Sequence, residues 1–157
     1  MTTATDTFAA FVGVLADALD DHEADGAALA ARLHLSRFHL DRMVSAVAGE
    51  PPHALRRRVL LERAAYRLLT TRRSILDVAV EAGYGSHEAF TRAFTRGYGL
   101  TPSVWRARPT TTRIDGPSDI HFHPPGSLRL PAQRKVSPMD LLTRMVEHHV
   151  WLVGEML

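Results

Sequence analysis

Between Ala30 and Pro102 the chain states one pattern twice, about 50 residues apart. The first copy reads Ala30-Ala31-Arg32-Leu33-His34-Leu35-Ser36, then Leu40-Asp41-Arg42-Met43-Val44, then Gly49 and Pro52. The second reads Ala79-Val80-Glu81-Ala82-Gly83-Tyr84-Gly85-Ser86, then Phe90-Thr91-Arg92-Ala93-Phe94, then Gly99 and Pro102. Each copy is a short helix, a tight turn, a second helix opened by Ser, and a Gly-x-x-Pro stop. This is the grammar of a helix-turn-helix, and two on one chain point to a protein that grips DNA twice.

Charge supports that direction. The net charge of +2 hides an asymmetry, for Gly26 to Arg113 holds 15 Arg against six acids, a surplus of nine. The acids Asp17, Asp20, Asp21, Glu23 and Asp25 crowd the end of the first helical segment. A basic body with an acidic corner suits an oriented approach to a polyanion; an Arg-rich solvated surface would have the same composition. The 157 residues give room for one ordinary domain and an appendage. No run of 18 apolar residues is present, so no membrane span is expected. Met1 to Asp6 has neither a basic start nor an apolar stretch, and there is no Cys. Together these predict a cytoplasmic protein without disulfides or thiolate metal sites.

The periodicity predicts an all-α fold. Phe8, Phe11, Val12, Leu15 and Leu19 form the apolar stripe of a first helix. The first helix-turn-helix is expected at about 27–49. His34 stands at its turn, where His is among the more tolerant non-Gly residues of a left-handed backbone, and Ser36 caps its second helix. Leu40, Met43, Val44 and Val47 read as that helix's inward stripe. A linker helix follows at about 52–70, on the order of 28 Å long, and can hold two units at a fixed distance. The second unit is expected at about 74–97. It opens with a capping box at Ser74-Ile75-Leu76-Asp77, turns at Gly83 and restarts at the Ser86 cap. Phe90, Ala93, Phe94 and Gly97 face in. Thr101-Pro102 opens a short helix whose Val104 and Trp105 close the core. From Pro109 the texture becomes Pro-rich and aperiodic, so residues 109–136 read as a linker, with a small hairpin around Pro124-Pro125-Gly126-Ser127 that needs something to pack on. Ser137 to Leu157 reads as a C-terminal amphipathic helix.

These residues resemble the DNA-binding domain of AraC/XylS-type transcription regulators. The resemblance covers about Phe8 to Arg108, and its most specific part runs from Ile75 through Ser86, Phe90 to Phe94 and Gly99-Leu100-Thr101-Pro102 to Trp105-Arg106. It implies two recognition helices entering successive major grooves of double-stranded DNA, joined by the linker helix, in a sequence-specific transcription regulator. Carried across by position, the first would present Arg37, Phe38, Asp41 and Arg42. The second would present His87, Glu88, Thr91, Arg92 and Thr95, with Arg96 beside them. The helical wheel independently leaves these residues outside.

The chemistry divides them. Arg42 and Arg92 can fork onto guanine O6 and N7, and Thr91 or Phe38 can touch a thymine methyl. Asp41 and Glu88 can accept from cytosine N4, orient Arg37 and Arg92 four residues away, or form plain surface ion pairs. Arg56, Arg57, Arg58, Arg72, Arg73 and Arg96 read as phosphate contacts or solvent-facing charge. Many relatives of this type carry a sensing domain before the DNA-binding domain; here any sensor is expected after it.

The last helix, Met139 to Leu152, weakly resembles the opening helix of DinB-like four-helix bundles, which often hold a divalent metal on three histidines. The alternative reading is therefore a DNA-binding head on a truncated DinB-like domain that senses a ligand or performs metal-dependent chemistry. The other is an amphipathic helix that docks on the domain or joins a homodimer, and a cut after Arg113 is then expected to leave a folded DNA-binding unit. His121, His123, His148 and His149 are a weak pattern for a metal site, and none is assigned. No cofactor is expected. No phosphate loop, His-Glu-x-x-His motif or Gly-x-Ser-x-Gly elbow is present, so no enzyme is expected. RNA polymerase is a candidate partner, as for transcription regulators generally.

Overall fold

The computed structural model describes residues 2–124 and 127–129. Within them the order is α1 (Ala4–Asp17), α2 (Gly26–Arg32), α3 (Arg37–Ala48), α4 (Pro52–Thr70), α5 (Ile75–Glu81), α6 (His87–Tyr98), α7 (Pro102–Ala107), β1 (His121–His123) and β2 (Ser127–Arg129). The fold is thus helical, with one small antiparallel hairpin in which Phe122 lies opposite Leu128. The helix read at 137–157 lies outside the described residues, and with it the DinB-like resemblance and the self-association surface.

Side-chain caps set the helix starts. Ser36, Ser74 and Ser86 accept from His39, Asp77 and Ala89 backbone N–H at 3.0–3.1 Å. Asp25 does the same for α2 at Ala28. Of the capping box at Ser74 only this half forms, whereas both halves form at Thr3 and Asp6. The two turns differ. His34 takes φ 57° in the first, and Gly83 takes φ 86° in the second. The second turn needs Gly for its left-handed backbone, and a Cβ there, 2.9 Å from His22 Nδ1, would also push that exposed ring aside.

Two cores share one helix. The N-terminal half of α4 sends Leu55, Val59 and Leu60 into a first core with Phe8, Phe11, Leu15, Leu29, Leu40 and Val44. Its C-terminal half sends Leu61, Ala64, Ala65 and Leu68 into a second, with Val78, Ala79, Phe90, Phe94 and Trp105. The second core is aromatic, Phe94 standing edge-on to Trp105 at 5.7 Å and 5.6 Å from Phe90. Val47, read as inward, is exposed. It lies at the open end of α3 in a shallow groove with Ala4, His39 and Met43, where α1 only begins.

The stretch after Arg108 corrects the linker reading. Residues 109–123 run back along α4 as a strap, with β1 against α4 and β2 against α1. Ile120 is fully buried in the first core, and Ile114 packs on the second. The reason is charge inside α4. Glu62 is 2% exposed and accepts from the N–H of Ile114 at 2.9 Å and of Phe122 at 2.8 Å, with His121 Nδ1 at 2.7 Å. Arg58, also buried, donates to Glu50 at 2.6 Å, to the Ile120 carbonyl at 2.7 Å and to Ser118 at 3.2 Å. Buried charges persist only when paired and hydrogen-bonded, and the strap supplies what α4 lacks. Gly97 lets it approach, since a Cβ there would sit 3.0 Å from Ile114 Cδ1.

Candidate nucleic-acid interface

The second helix of each unit is held rigidly from behind and left open in front. α3 buries Leu40, Met43, Val44 and Ala48, and α6 buries Phe90, Ala93 and Phe94. The opposite face of α3 presents Arg37, Phe38, Asp41 and Arg42. Phe38 is 69% exposed, unusual for a large apolar side chain, and the Arg42 guanidinium lies over its ring at 5.4 Å. Arg37 and Asp41 face each other across one turn at 3.9 Å.

The opposite face of α6 presents His87, Glu88, Arg92 and Arg96 in solvent, with Thr91 and Thr95 half-buried between them. Thr95 Oγ1 donates back to the Thr91 carbonyl at 2.7 Å, so only its acceptor side faces outward. Thr91 Oγ1 lies 3.5 Å from His87 Nδ1. Of the two acid–arginine pairs read from spacing, Arg37–Asp41 comes together, while Glu88 and Arg92 form no ion pair.

Burial then sorts the arginines. Arg58, Arg63, Arg67 and Arg73 are tied to Glu50, Asp20 and Glu81. Arg56 donates to the carbonyls of Ala18, Asp21 and Ala24, and Arg106 to that of Leu68. This corrects the reading of Arg56 and Arg58 as surface charge or phosphate contacts, since they stitch loops and helices together; Arg73 stays exposed while paired with Glu81. Arg42, Arg57, Arg72, Arg92, Arg96, Arg108 and Arg113 are exposed and, among the described residues, in no ion pair. Sequence reasoning missed this division because partners that lie 8 to 62 residues away, off the turn-to-turn spacing of a helix, leave no local signal.

Between the two units lies a cleft of about 370 Å³, floored by Pro52, Arg56, Arg57 and Leu60 of α4. One wall carries Arg37 and Asp41 from the start of α3; another carries Gly83 and Tyr84 from the turn before α6. Elsewhere, His121 is engaged by Glu62 and by Asp119 at 3.2 Å. Among the described residues no group of three or more His, Asp or Glu could hold a metal ion; His148 and His149 lie outside them. No described helix is long and apolar enough to cross a membrane.

Comparison with known proteins follows this geometry. A family model described as a helix-turn-helix domain matches residues 29–108, just over half of the chain. Regulatory protein SoxS of Escherichia coli K12 is 40% identical over 75 residues, covering 46% of this chain and 68% of SoxS. Right origin-binding protein of the same organism is 37% identical over 81 residues, covering 52% of this chain. The chain spans only 28% of that relative's length. The solved DNA-binding domain of AdpA, a global transcriptional factor in complex with a target DNA, is 33% identical with a TM-score of 0.54. That likeness covers 62% of this chain and 89% of the AdpA domain.

Proposed function

We propose, starting from the fact that this chain belongs to the helix-turn-helix domain family of the AraC type, that it is a sequence-specific DNA-binding transcription regulator. On this reading α3 and α6 enter successive major grooves of duplex DNA. The carrying observation is a matched pair. Each helix begins at a Ser cap after a left-handed turn and exposes an arginine at the same place in the repeat, Arg42 and Arg92, neither held by a carboxylate. An exposed guanidinium on a rigid helix is the side chain best suited to fork onto guanine. The regulators it resembles, and the target DNA bound by the AdpA domain, support the same reading.

Base contacts fall to Arg37, Phe38, Asp41 and Arg42 in one half-site and to His87, Glu88, Thr91, Arg92 and Thr95 in the other, with Arg96 on phosphate. RNA polymerase is the protein partner we propose, and Ser137 to Leu157 the surface for a second copy. No catalytic step is proposed. The test is selection of bound sequences from random duplex DNA. The expected result is two enriched half-sites about 10 bp apart. A pool with no enriched sequence would leave an architectural binder and overturn the sequence-specific reading.

A further inference from the structure

Phe38 breaks the rule that the other phenylalanines keep. Those five, Phe8, Phe11, Phe90, Phe94 and Phe122, are buried, whereas Phe38 is the most exposed large apolar side chain among the described residues. It is the second residue of α3, on the face turned away from Leu40, Met43 and Val44, and it packs in neither core. A single exposed ring says little by itself, but this one is organised. The Arg42 guanidinium, one turn on, lies over it at 5.4 Å and leaves its edge and its other face open. Arg42 itself is exposed and, among the described residues, in no ion pair. The second unit lacks this device. Counted from the caps Ser36 and Ser86, Arg42 matches Arg92, but Phe38 matches Glu88. An apolar ring thus stands where its counterpart is a carboxylate, so the two helices ask different chemistry of the same place in a groove.

We propose that Phe38 and Arg42 form one reading unit for a pyrimidine C5-methyl in the base pair beside a guanine, so that methylation of cytosine at that place raises affinity. The inference rests on the DNA-binding reading above and goes beyond it, since the site would then carry a chemical mark as well as a sequence. A phenyl ring cannot hydrogen-bond, and the apolar group that a major groove offers it is the C5-methyl of thymine. Methylated cytosine bears the same methyl on the same carbon. Arg42 forks onto guanine O6 and N7 in the plane of that base. Successive base pairs lie about 3.4 Å apart, so a ring centred 5.4 Å from the guanidinium reaches the adjoining pair. The stack already orders both side chains in the free protein, which lowers the entropy lost when they meet the bases. Asp41 can favour cytosine through N4, but it does so equally for the methylated and the bare base.

The experiment compares the full chain with Phe38→Ala and Phe38→Leu on a selected duplex. The guanine read by Arg42 is first located by competition with Arg42→Ala. Each pair beside it then carries in turn thymine, uracil, cytosine or 5-methylcytosine, so that each comparison within a base type changes one methyl and no hydrogen-bonding group. The parent should bind thymine over uracil, and 5-methylcytosine over cytosine, by about fourfold at one of the two pairs, the amount expected for one buried methyl. Phe38→Ala should bind the members of each couple alike, losing only the stack with Arg42 on the duplexes without the methyl. Phe38→Leu, apolar but without a ring, should keep the preference. Both variants should melt with the parent; a lower melting temperature would make the ring structural and end the proposal. A parent indifferent to the methyl at both pairs overturns it while the DNA reading stands. A preference that survives Phe38→Ala belongs to another residue, and one lost in Phe38→Leu is felt through the arginine stack; either outcome removes the assigned contact. A thymine preference without a 5-methylcytosine preference defeats the claim about methylation. A parent that binds no duplex even at low salt sinks the DNA reading, and this inference with it.

Discussion

Arg42 and Arg92 hold the same place in the two copies but reach the surface under different constraints. Arg42 rests on the Phe38 ring, and Arg92 stands free of any carboxylate. On the proposed reading, Arg92→Ala costs roughly 1–3 kcal/mol of binding and relaxes preference in one half-site only, while Arg42→Ala does so in the other. Competition against single-base variants of a selected site reads this directly; equal losses on random DNA would make both arginines phosphate anchors. Phe38→Ala should weaken only the Arg42 half-site, by about 0.5–1 kcal/mol on a duplex without the methyl, through the lost cation–π contact. Away from the interface, Tyr98 donates to the Thr112 carbonyl at 2.7 Å, and burial, helped by the charge of Glu62, raises its hydroxyl far above the ordinary range. A raised folded value means stability is intact below the unfolded tyrosine value of about 10 and falls as pH rises beyond it, because the unfolded chain ionises first. Following phenolate absorbance with circular dichroism should show Tyr98 ionising only as the helices melt. The individual outward residues were legible in the sequence because a helical wheel needs only spacing. The buried Tyr84 hydroxyl, which has no hydrogen-bond partner, was not, because local spacing carries no record of a missing partner.

At the scale of elements, α4 and the strap form one device. Glu62 receives two strap N–H groups and His121, so Glu62→Ala would leave them without their buried acceptor and Arg58 with Glu50 alone as counter-charge. Breaking a buried ion pair by removing one partner costs about 3–5 kcal/mol, a loss that chemical denaturation should report; Glu62→Gln, which keeps an acceptor oxygen, should lose less. A cut after Arg113 takes away Ile114, Ile120 and Phe122, so it should destabilise both cores rather than release a sound DNA-binding unit. That reverses the expectation that such a cut leaves a folded DNA-binding unit because the DNA-reading residues precede it. The helices, their caps and the repeat could be read from sequence since each is a local pattern. The strap could not. Its bonds to α4 span 52 to 62 residues, and it offers proline and alternation where a core segment usually offers period. Within α4, Arg58 read as a phosphate contact or solvent-facing charge for the same reason: charge alone does not say whether it is paired inside.

Over the whole molecule, the surplus of nine positive charges between Gly26 and Arg113 overstates what DNA would meet. Six of those 15 arginines form ion pairs and two more are held by backbone carbonyls, which leaves seven exposed and unpaired among the described residues. At about 0.9 per phosphate contact, the slope of log affinity against log salt should stay within about 6 rather than approach the ~13 that all 15 would give. Affinity measured from low to physiological salt decides it, and a steeper slope would mean that ion pairs open on binding. The shared helix has one more consequence. Because α4 is enclosed in both cores at once, neither unit can swivel without tearing a hydrophobic interior. On the proposed reading the molecule is then a gauge of fixed length and fixed phase, and the duplex would do the adjusting. Twisting DNA turns one groove relative to the next, so torsional stress in the chromosome would itself become a signal that this protein reads.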